Sequence, residues 1–561
     1  MILQALCEYY ERARGETGVP EPGFSRQKIH FAIVINGGGN LLQVRDLRVM
    51  QKNKPGPKEL IVPEPVKRTS GIAANFAWDN TMYALGATRA DKAEHAKAFT
   101  TFKTFNHEVG DGVEDEGMRA LLRFLDTWQP SKAADLDNWE EMAGLNVVFQ
   151  LDGDLGFIHD RPKVRDAWSR YRSGTTSGTI APCLVTGEKA PIARLHPAIK
   201  RVDGTQPSGA AIVSFNLGAF CSYGKKQNYN APVGEASAFA YTTALNHLLR
   251  FGSRQRIQIG DATTVFWTSR ASPVEGFMGM ILSPGQDAAE LQDLRSFLTS
   301  LKEGRMPPGV DPDVRFYILG LSPNISRISI RFWYASTVGD ILDKVGWHFR
   351  DLAIVKSFDR DPDFPAVWQL LQETAFLRKG KNIPPVLGGA LMRSILTGLS
   401  YPQGLYSVVL GRIRADREIN YLRAAIIKAF LVRKYRIMNV SKEVTMTLNT
   451  EETNIAYRLG RLFAVLEKAQ RDAVPGANTT IKDRFYGAAS ATPRAVFPQL
   501  LRTAQHHIQK AEYGSRSDKL IEEILQGVQG FPAHLSLDDQ GHFALGYYHQ
   551  RQAFFAKRSE Q

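Results

Sequence analysis

Residues 314–334 read VRFYILGLSPNISRISIRFWY. Two runs dense in β-branched and aromatic side chains flank Ser322, Pro323 and Asn324, residue types that favour a turn, so the stretch predicts a β-hairpin. It also marks a divide, with mixed signals before it and almost only helical ones after. Upstream, MILQALCEYYERARG predicts a helix, with Leu3, Leu6, Cys7 and Tyr10 at helical spacing and Gly15 as its stop. HFAIVINGGGNLLQVRDL predicts a hairpin turning at Asn36 to Asn40. Lys52 to Pro65, rich in Pro and Lys, predicts an exposed loop. Residues 90–145 are helical in pattern with an acidic break at Glu108 to Glu116. LNVVFQLDGDLGFIH predicts a second hairpin turning at Asp152 to Asp154. Strands are expected at Ile212 to Phe220 and Arg256 to Trp267, with a helix between them carrying Tyr241, Leu245 and Leu248 on one face.

Downstream of about residue 340, Arg412 to Arg436 predicts one long, strongly basic helix. The stripe Ile455, Leu459, Leu462, Phe463 and Leu466 is that of a bundle helix. The expected class is α+β: a mixed N-terminal α/β body over residues 1–410, followed by a C-terminal helical bundle over residues 411–561.

Hydrophobic residues at 43% and charged residues at 23% of the 561 are globular values and exclude wholesale disorder. No run of 18 apolar residues predicts a membrane span. The N-terminus turns from apolar to charged, the reverse of a signal peptide. Cys7, Cys183 and Cys221 form no CxxC pair and no disulfide framework, which points to a reduced, cytoplasmic protein. Lys plus Arg number 70 against 57 Asp plus Glu, a net charge of +13. Such a balance suits a nucleic-acid partner.

Catalytic patterns are weak. Gly37 to Gly39 joins two strands and lacks the Lys-Ser/Thr of a phosphate-binding loop. Asp152-Gly153-Asp154 lacks the Glu that a calcium loop carries at its twelfth position. His506 and His507 point about 100° apart on a helix and cannot chelate together. Serine-nucleophile and zinc-protease motifs are absent. His159-Asp160, with Asp152 and Asp154, supports an alternative reading as a metal-dependent nuclease. A free-standing RNA-binding protein is a third.

Two stretches have the chemistry of binding surfaces. In VKRTSGIAANFAWDNTMYALG, residues 66–86, Lys67 and Arg68 suit phosphates, Asn75 and Asn80 suit base edges, and Phe76 suits stacking or wedging. The bland reading is a loop entering a helix with its aromatics in the core. In SFNLGAFCSYGKKQNYNAP, residues 214–232, Tyr223, Lys225, Lys226, Gln227 and Asn228 make a polar, aromatic and basic loop suited to nucleic acid. Its bland reading is a solvated loop.

The first of these stretches, together with the run from CLVTGEKAPIARLHPAIKRVDGTQPSG to AYTTALNHLL (Cys183 to Leu249), resembles the Csd-family large subunit of the type I-C CRISPR surveillance complex, Cascade. Both chain ends share the likeness. The resemblance implies a subunit that recognises the protospacer-adjacent motif in double-stranded target DNA, helps open the duplex and docks a helicase-nuclease, without cleaving DNA itself. It implies crRNA-bound Cascade backbone subunits as partners, no cofactor, no metal and no membrane. It also implies a small subunit made by internal translation and corresponding to the C-terminal bundle. Met438 and Met446 are candidate starts, and Met438 to Gln561 spans 124 residues. That span carries 15 Lys plus Arg and 13 Asp plus Glu, so most of the basic excess lies before it.

Overall fold

In a computed structural model of the chain, the all-buried strand Phe31–Ile35 lies at the centre of the N-terminal part. The structure describes residues 1–555 apart from 16–17, 52–53, 67, 69–70, 91–93, 175–178, 260, 283–287, 477 and 513. Two compact units emerge. The first comprises Met1–Ile199 and Val213–His247, the second Lys200–Ile212 and Leu248–Gln561. The class is α+β, with helices dominating the C-terminal part. The boundary expected at 410/411 falls inside the second unit, within the helix Gln403–Asp416.

In the first unit, Phe31–Ile35 pairs antiparallel with Leu41–Asp46 and parallel with Asn146–Leu151, which takes Trp78–Asn80 on its far side. Strands buried on both faces read as continuous apolar runs, and FAIVI and VVF are such runs. One face packs Ile33, Ile35 and Phe149 against Phe102, Leu121 and Phe124 of the helices Glu94–Gly110 and Glu116–Thr127. The other packs Ala32 and Val148 against Trp78, Phe157 and Val62. The expected turn at Asn36 to Asn40 is present. Asn36 Oδ1 accepts the amides of Gly38 and Asn40, each at 3.0 Å, and Gly39 has φ +83°. A Cβ on Gly39 would lie 2.6 Å from the Phe124 amide, so only glycine fits there.

Three local expectations are corrected. Within Lys52 to Pro65, Lys58–Pro63 is a strand paired with Phe24–Ile29, its Val62 fully buried. The prolines obscured it, yet only Pro63 lies in the strand, at its end and in a two-stranded ribbon that pairs on one side only. Asp152 to Asp154 does not turn a hairpin. Asn146–Leu151 finds its parallel partner 116 residues earlier in the chain (the register runs from Phe31 opposite Val147 to Ile35 opposite Leu151), and the chain continues into the short 3-10 turn Ile158–Asp160. Ile212 to Phe220 contains no strand.

In the second unit, Arg256–Ile259, Ala262–Thr268, Arg315–Asn324 and Arg327–Thr337 form an antiparallel sheet in chain order. The hairpin read from the opening sequence is there, turning two residues later than expected, at Ile325 (φ 57°) and Ser326. Pro323 sits inside the strand, past Leu321, the last residue paired with Ala262–Thr268, where its missing N–H costs nothing on that side. The sheet and the helices after it share one continuous core that runs from Ile257 through Phe349 to Tyr548. At its far end the helices Ile455–Ala473 and Leu537–Phe555 cross at backbone contact: a Cβ on Gly460 would sit 2.0 Å from the Phe543 carbonyl oxygen.

The basic helix expected over Arg412 to Arg436 is two helices, Gln403–Asp416 and Tyr421–Ile437. Arg417 is left-handed (φ 55°), and Asn420 caps the second helix by accepting the Arg423 amide at 2.8 Å. Much of the charge faces inward. Arg423 reaches Glu373 at 2.8 Å and Asp416 at 2.6 Å, and it is 1% exposed. Arg433, wholly buried, donates to Asp351 Oδ2 at 2.9 Å and to the carbonyls of Ser394 and Leu399. Lys428 donates to the Asp351 carbonyl at 3.0 Å, and burial lowers its pKa to about 8.

Removing one partner of a buried ion pair strands the other, so Arg433→Ala or Asp351→Ala should destabilise the second unit by about 3–5 kcal/mol. Lys163→Ala, from the exposed pair with Glu114, should cost less than about 1 kcal/mol. Urea midpoints of the three variants check the contrast.

Buried histidines set a pH limit. His542 shares a 2.7 Å hydrogen bond with Tyr435 Oη, and His549 one of 2.9 Å with Tyr457 Oη. Burial, with Lys442 near the first and Lys428 near the second, lowers both pKa values to about 4. The unfolded chain protonates its histidines near pH 6.5, so below that pH it binds protons that the folded chain refuses. Stability should therefore fall as pH drops from about 6.5 to about 4, by on the order of 3 kcal/mol per histidine. Thermal melts across that range should show the loss, and it should shrink in His542→Gln.

Candidate nucleic-acid interface

Within the segment 66–86, residues 74–79 form a buried corner. Asp79 is 1% exposed, and its carboxylate accepts the amides of Asn75 at 2.9 Å and Asn80 at 2.8 Å and the Arg68 guanidinium. Burial raises the Asp79 pKa, and Arg68 opposes that rise. Arg68 also donates to the Ala73 carbonyl at 2.6 Å and lies 3.9 Å over the Tyr83 ring. Asn75, 3% exposed, accepts the Val66 amide through Oδ1 at 3.0 Å. Phe76 is fully buried and stacks on Trp168 at 5.4 Å, while left-handed Ala77 (φ 57°) donates its amide to the buried Asn106.

These positions correct the expectation for this stretch. Asn75 and Phe76 are interior groups that reach no base edge, because the chain spends them on closing its own turn. Arg68 is committed to Asp79. Asn80 is half-buried at the start of the helix Thr81–Ala84. Lys67 lies outside the described residues.

The second stretch is different. From Leu217 to Lys226 the side chains face outward: Leu217 is 56% exposed, Phe220 38% and Tyr223 98%, and Lys225 and Lys226 are exposed with no acidic partner among the described residues. The loop is nevertheless ordered. Asn230 staples it, accepting the Ser222 amide at 2.9 Å and donating to the carbonyls of Lys225 at 3.0 Å and Gln227 at 2.9 Å. Gly224 (φ 69°) takes a left-handed conformation freely, whereas in Tyr223 (φ 53°) and Gln227 (φ 50°) it persists only where the surroundings hold it. Gln227 accepts from Arg194 Nη1 at 2.6 Å, and Asn228, 1% exposed, donates its amide to the Arg194 carbonyl at 3.4 Å. Gln227 and Asn228 therefore position the loop, and Tyr223, Lys225 and Lys226 are its presented groups.

Arg194 belongs with them. It is exposed, and its side chain is fixed on Gln227. Its sequence neighbours carry no binding pattern, and only the fold brings it to the loop. The return leg is anchored on the ribbon Ile180–Pro182 and Lys189–Pro191, through Leu184 N to Pro232 O at 2.9 Å and Ala193 N to Val233 O at 3.0 Å. In the same turn Cys183 is buried. Burial raises its pKa, but amides of Gly234, Thr186 and Val185 directed at the sulfur outweigh that and lower it to about 7. An ordered loop with lysines and an outward tyrosine can hold phosphates and offer a stacking face.

Of the residues behind the nuclease alternative, His159 lies 3.6 Å from Asp160 Oδ1. His159 is buried, stacks on Phe157 and directs Nε2 to the Ile61 carbonyl at 3.2 Å, while Asp154 pairs with Arg161. Among the described residues, no group of three or more His, Cys, Asp or Glu side chains could hold a metal ion. Nor, among them, is any helix long and apolar enough to cross a membrane.

The two stretches respond differently to truncation. Arg68→Ala leaves the Asp79 carboxylate buried and unpaired and should cost about 3–5 kcal/mol in stability. Lys225→Ala with Lys226→Ala should leave the melting temperature unchanged. Differential scanning fluorimetry distinguishes these outcomes.

Over residues 6–555 the chain matches the family described as CRISPR-associated protein (Cas_Csd1), and it belongs to that family. No curated protein matches it.

Proposed function

We propose that this member of the CRISPR-associated Csd1 family is the non-catalytic large subunit of a type I-C RNA-guided surveillance complex in the cytoplasm. In this reading it recognises the protospacer-adjacent motif in double-stranded target DNA, aids duplex opening and docks the helicase-nuclease. Its partners are the crRNA-bound Cascade backbone subunits and a small subunit translated from Met438 or Met446. Base pairing to the guide supplies long-range specificity, so the protein has only to read a short motif and hold backbones.

The observation that carries the reading is the ordered loop with Tyr223, Lys225 and Lys226 outward, in a family member of net charge +13. The lysines would contact phosphates, with Arg194 beside them, and Tyr223 would stack or wedge at an opened step. Arg68, Asn75 and Phe76 shape the fold of the same unit without touching DNA.

Mass spectrometry of the complex captured with a tagged copy should recover guide RNA, backbone subunits and a C-terminal product. In that complex Lys225→Ala with Lys226→Ala should weaken target-duplex binding. Each phosphate contact releases counterions and contributes most at low salt, so the deficit should be about tenfold larger at about 50 mM than at about 200 mM salt. Filter binding at the two salts measures it. Equal binding by variant and wild type at both would remove this loop from the DNA path.

A further inference from the structure

The second unit carries a loop whose chemistry its own fold does not use. Residues 376–382, FLRKGKN, form two successive 3-10 turns, Phe376–Arg378 and Gly380–Asn382, before the helix Pro385–Thr397. All seven residues are exposed. Phe376 and Leu377, 57% and 62% exposed, are side chains that a fold ordinarily buries. Leu377 (φ 54°) and Arg378 (φ 51°) are consecutive left-handed residues, neither of them glycine. Such backbone is costly, and it clusters at ligand clamps.

The loop is held from below. Arg378 donates to the buried Glu373 at 3.0 Å and to Glu418 at 2.8 Å. Asn382 Nδ2 reaches the Phe376 carbonyl at 2.9 Å. Arg412, paired with Asp416, lies 5.3 Å over the Phe376 ring. With Arg378 committed to its carboxylates, Lys379 and Lys381 project around Gly380 with no acidic partner among the described residues. Arg414 and Arg417, also exposed, continue the segment that bears Arg412.

We propose that this loop is a second nucleic-acid contact and that it takes a single-stranded segment. Phe376 stacks on a base, Leu377 flanks it, and Lys379 and Lys381 hold neighbouring phosphates. A duplex hides its base faces in the stack, whereas a single strand offers them to an exposed ring. A protein partner fits less well, because lysine is depleted from the cores of protein interfaces. The proposal rests on the nucleic-acid-binding reading above and extends it to the other compact unit.

The test uses the full chain and a fluorescein-labelled oligothymidylate, followed by anisotropy across salt. Lys379→Ala with Lys381→Ala should lower affinity about tenfold at about 50 mM salt and reduce the magnitude of the log–log salt slope by about 1.4, the value for two single-strand phosphate contacts. Phe376→Ala should lower affinity about fivefold or more with the slope unchanged. Should Phe376→Ala fail to fold, the lysine variant still decides, since the loop-supporting hydrogen bonds of Lys379 run through its backbone, which alanine retains. Wild-type affinity and slope in the lysine variant would overturn the proposal, and loss of a protein subunit from the assembled complex alongside that result would assign the loop to protein docking. Absence of any binding by the wild-type chain would overturn this proposal, while duplex binding by the captured complex decides the reading it rests on.

Discussion

One carboxylate ties the second unit together. Asp351, 2% exposed near the end of the helix Val338–Leu352, accepts from Arg433 and Arg436 through its side chain and from Lys428 through its carbonyl. The helix that carries it continues directly from the last strand of the sheet, and the three cations stand on Tyr421–Ile437. A charge at this depth is costly unless it is paired, and here the pairing joins the helix that follows the sheet to the C-terminal helices. The apolar core that runs from Ile257 to Tyr548 surrounds this cluster.

That cluster changes how the net charge is read. Formal charge counts every lysine and arginine, whereas a ligand meets only those that are accessible and uncommitted. Arg423, Lys428 and Arg433 belong to the most basic run in the chain and are all buried. Two of the places where exposed lysines stand without an acidic partner among the described residues are short loops, Tyr223 to Lys226 in one unit and Phe376 to Lys381 in the other. Both loops share a construction: left-handed non-glycine residues, an asparagine that binds the loop's own carbonyls, and an arginine used as a strut. Holding a loop in one shape before binding removes ordering entropy from the cost of association.

The corner built by Arg68, Asn75, Phe76 and Asp79 makes the complementary point. Its residues mimic a recognition motif because the same chemistry that suits DNA, namely amide side chains, a guanidinium and an aromatic face, also suits the closing of a polar turn inside a protein. A buried carboxylate with two amides and an arginine is satisfied entirely within the chain. The segment that carries much of the family likeness thus shapes the fold of its unit.

Much was legible in the sequence. The strand Phe31–Ile35, the hairpin near residue 324 and the predominance of helices after residue 340 follow from periodicity and turn chemistry, which are local properties, and the family was legible as a resemblance of whole segments. The parallel pairing of Phe31–Ile35 with Asn146–Leu151 and the strand at Lys58–Pro63 were decided by partners distant in sequence. So was the fate of each candidate residue. Asn75 and Asn228 became buried while Tyr223 stayed 98% exposed, and Arg194 joined a loop more than 20 residues away. Residue type determines which interactions a side chain can make. Whether it makes them with water, with a ligand or with its own chain depends on which groups the fold brings within about 3 Å, and that is a property of tertiary structure alone.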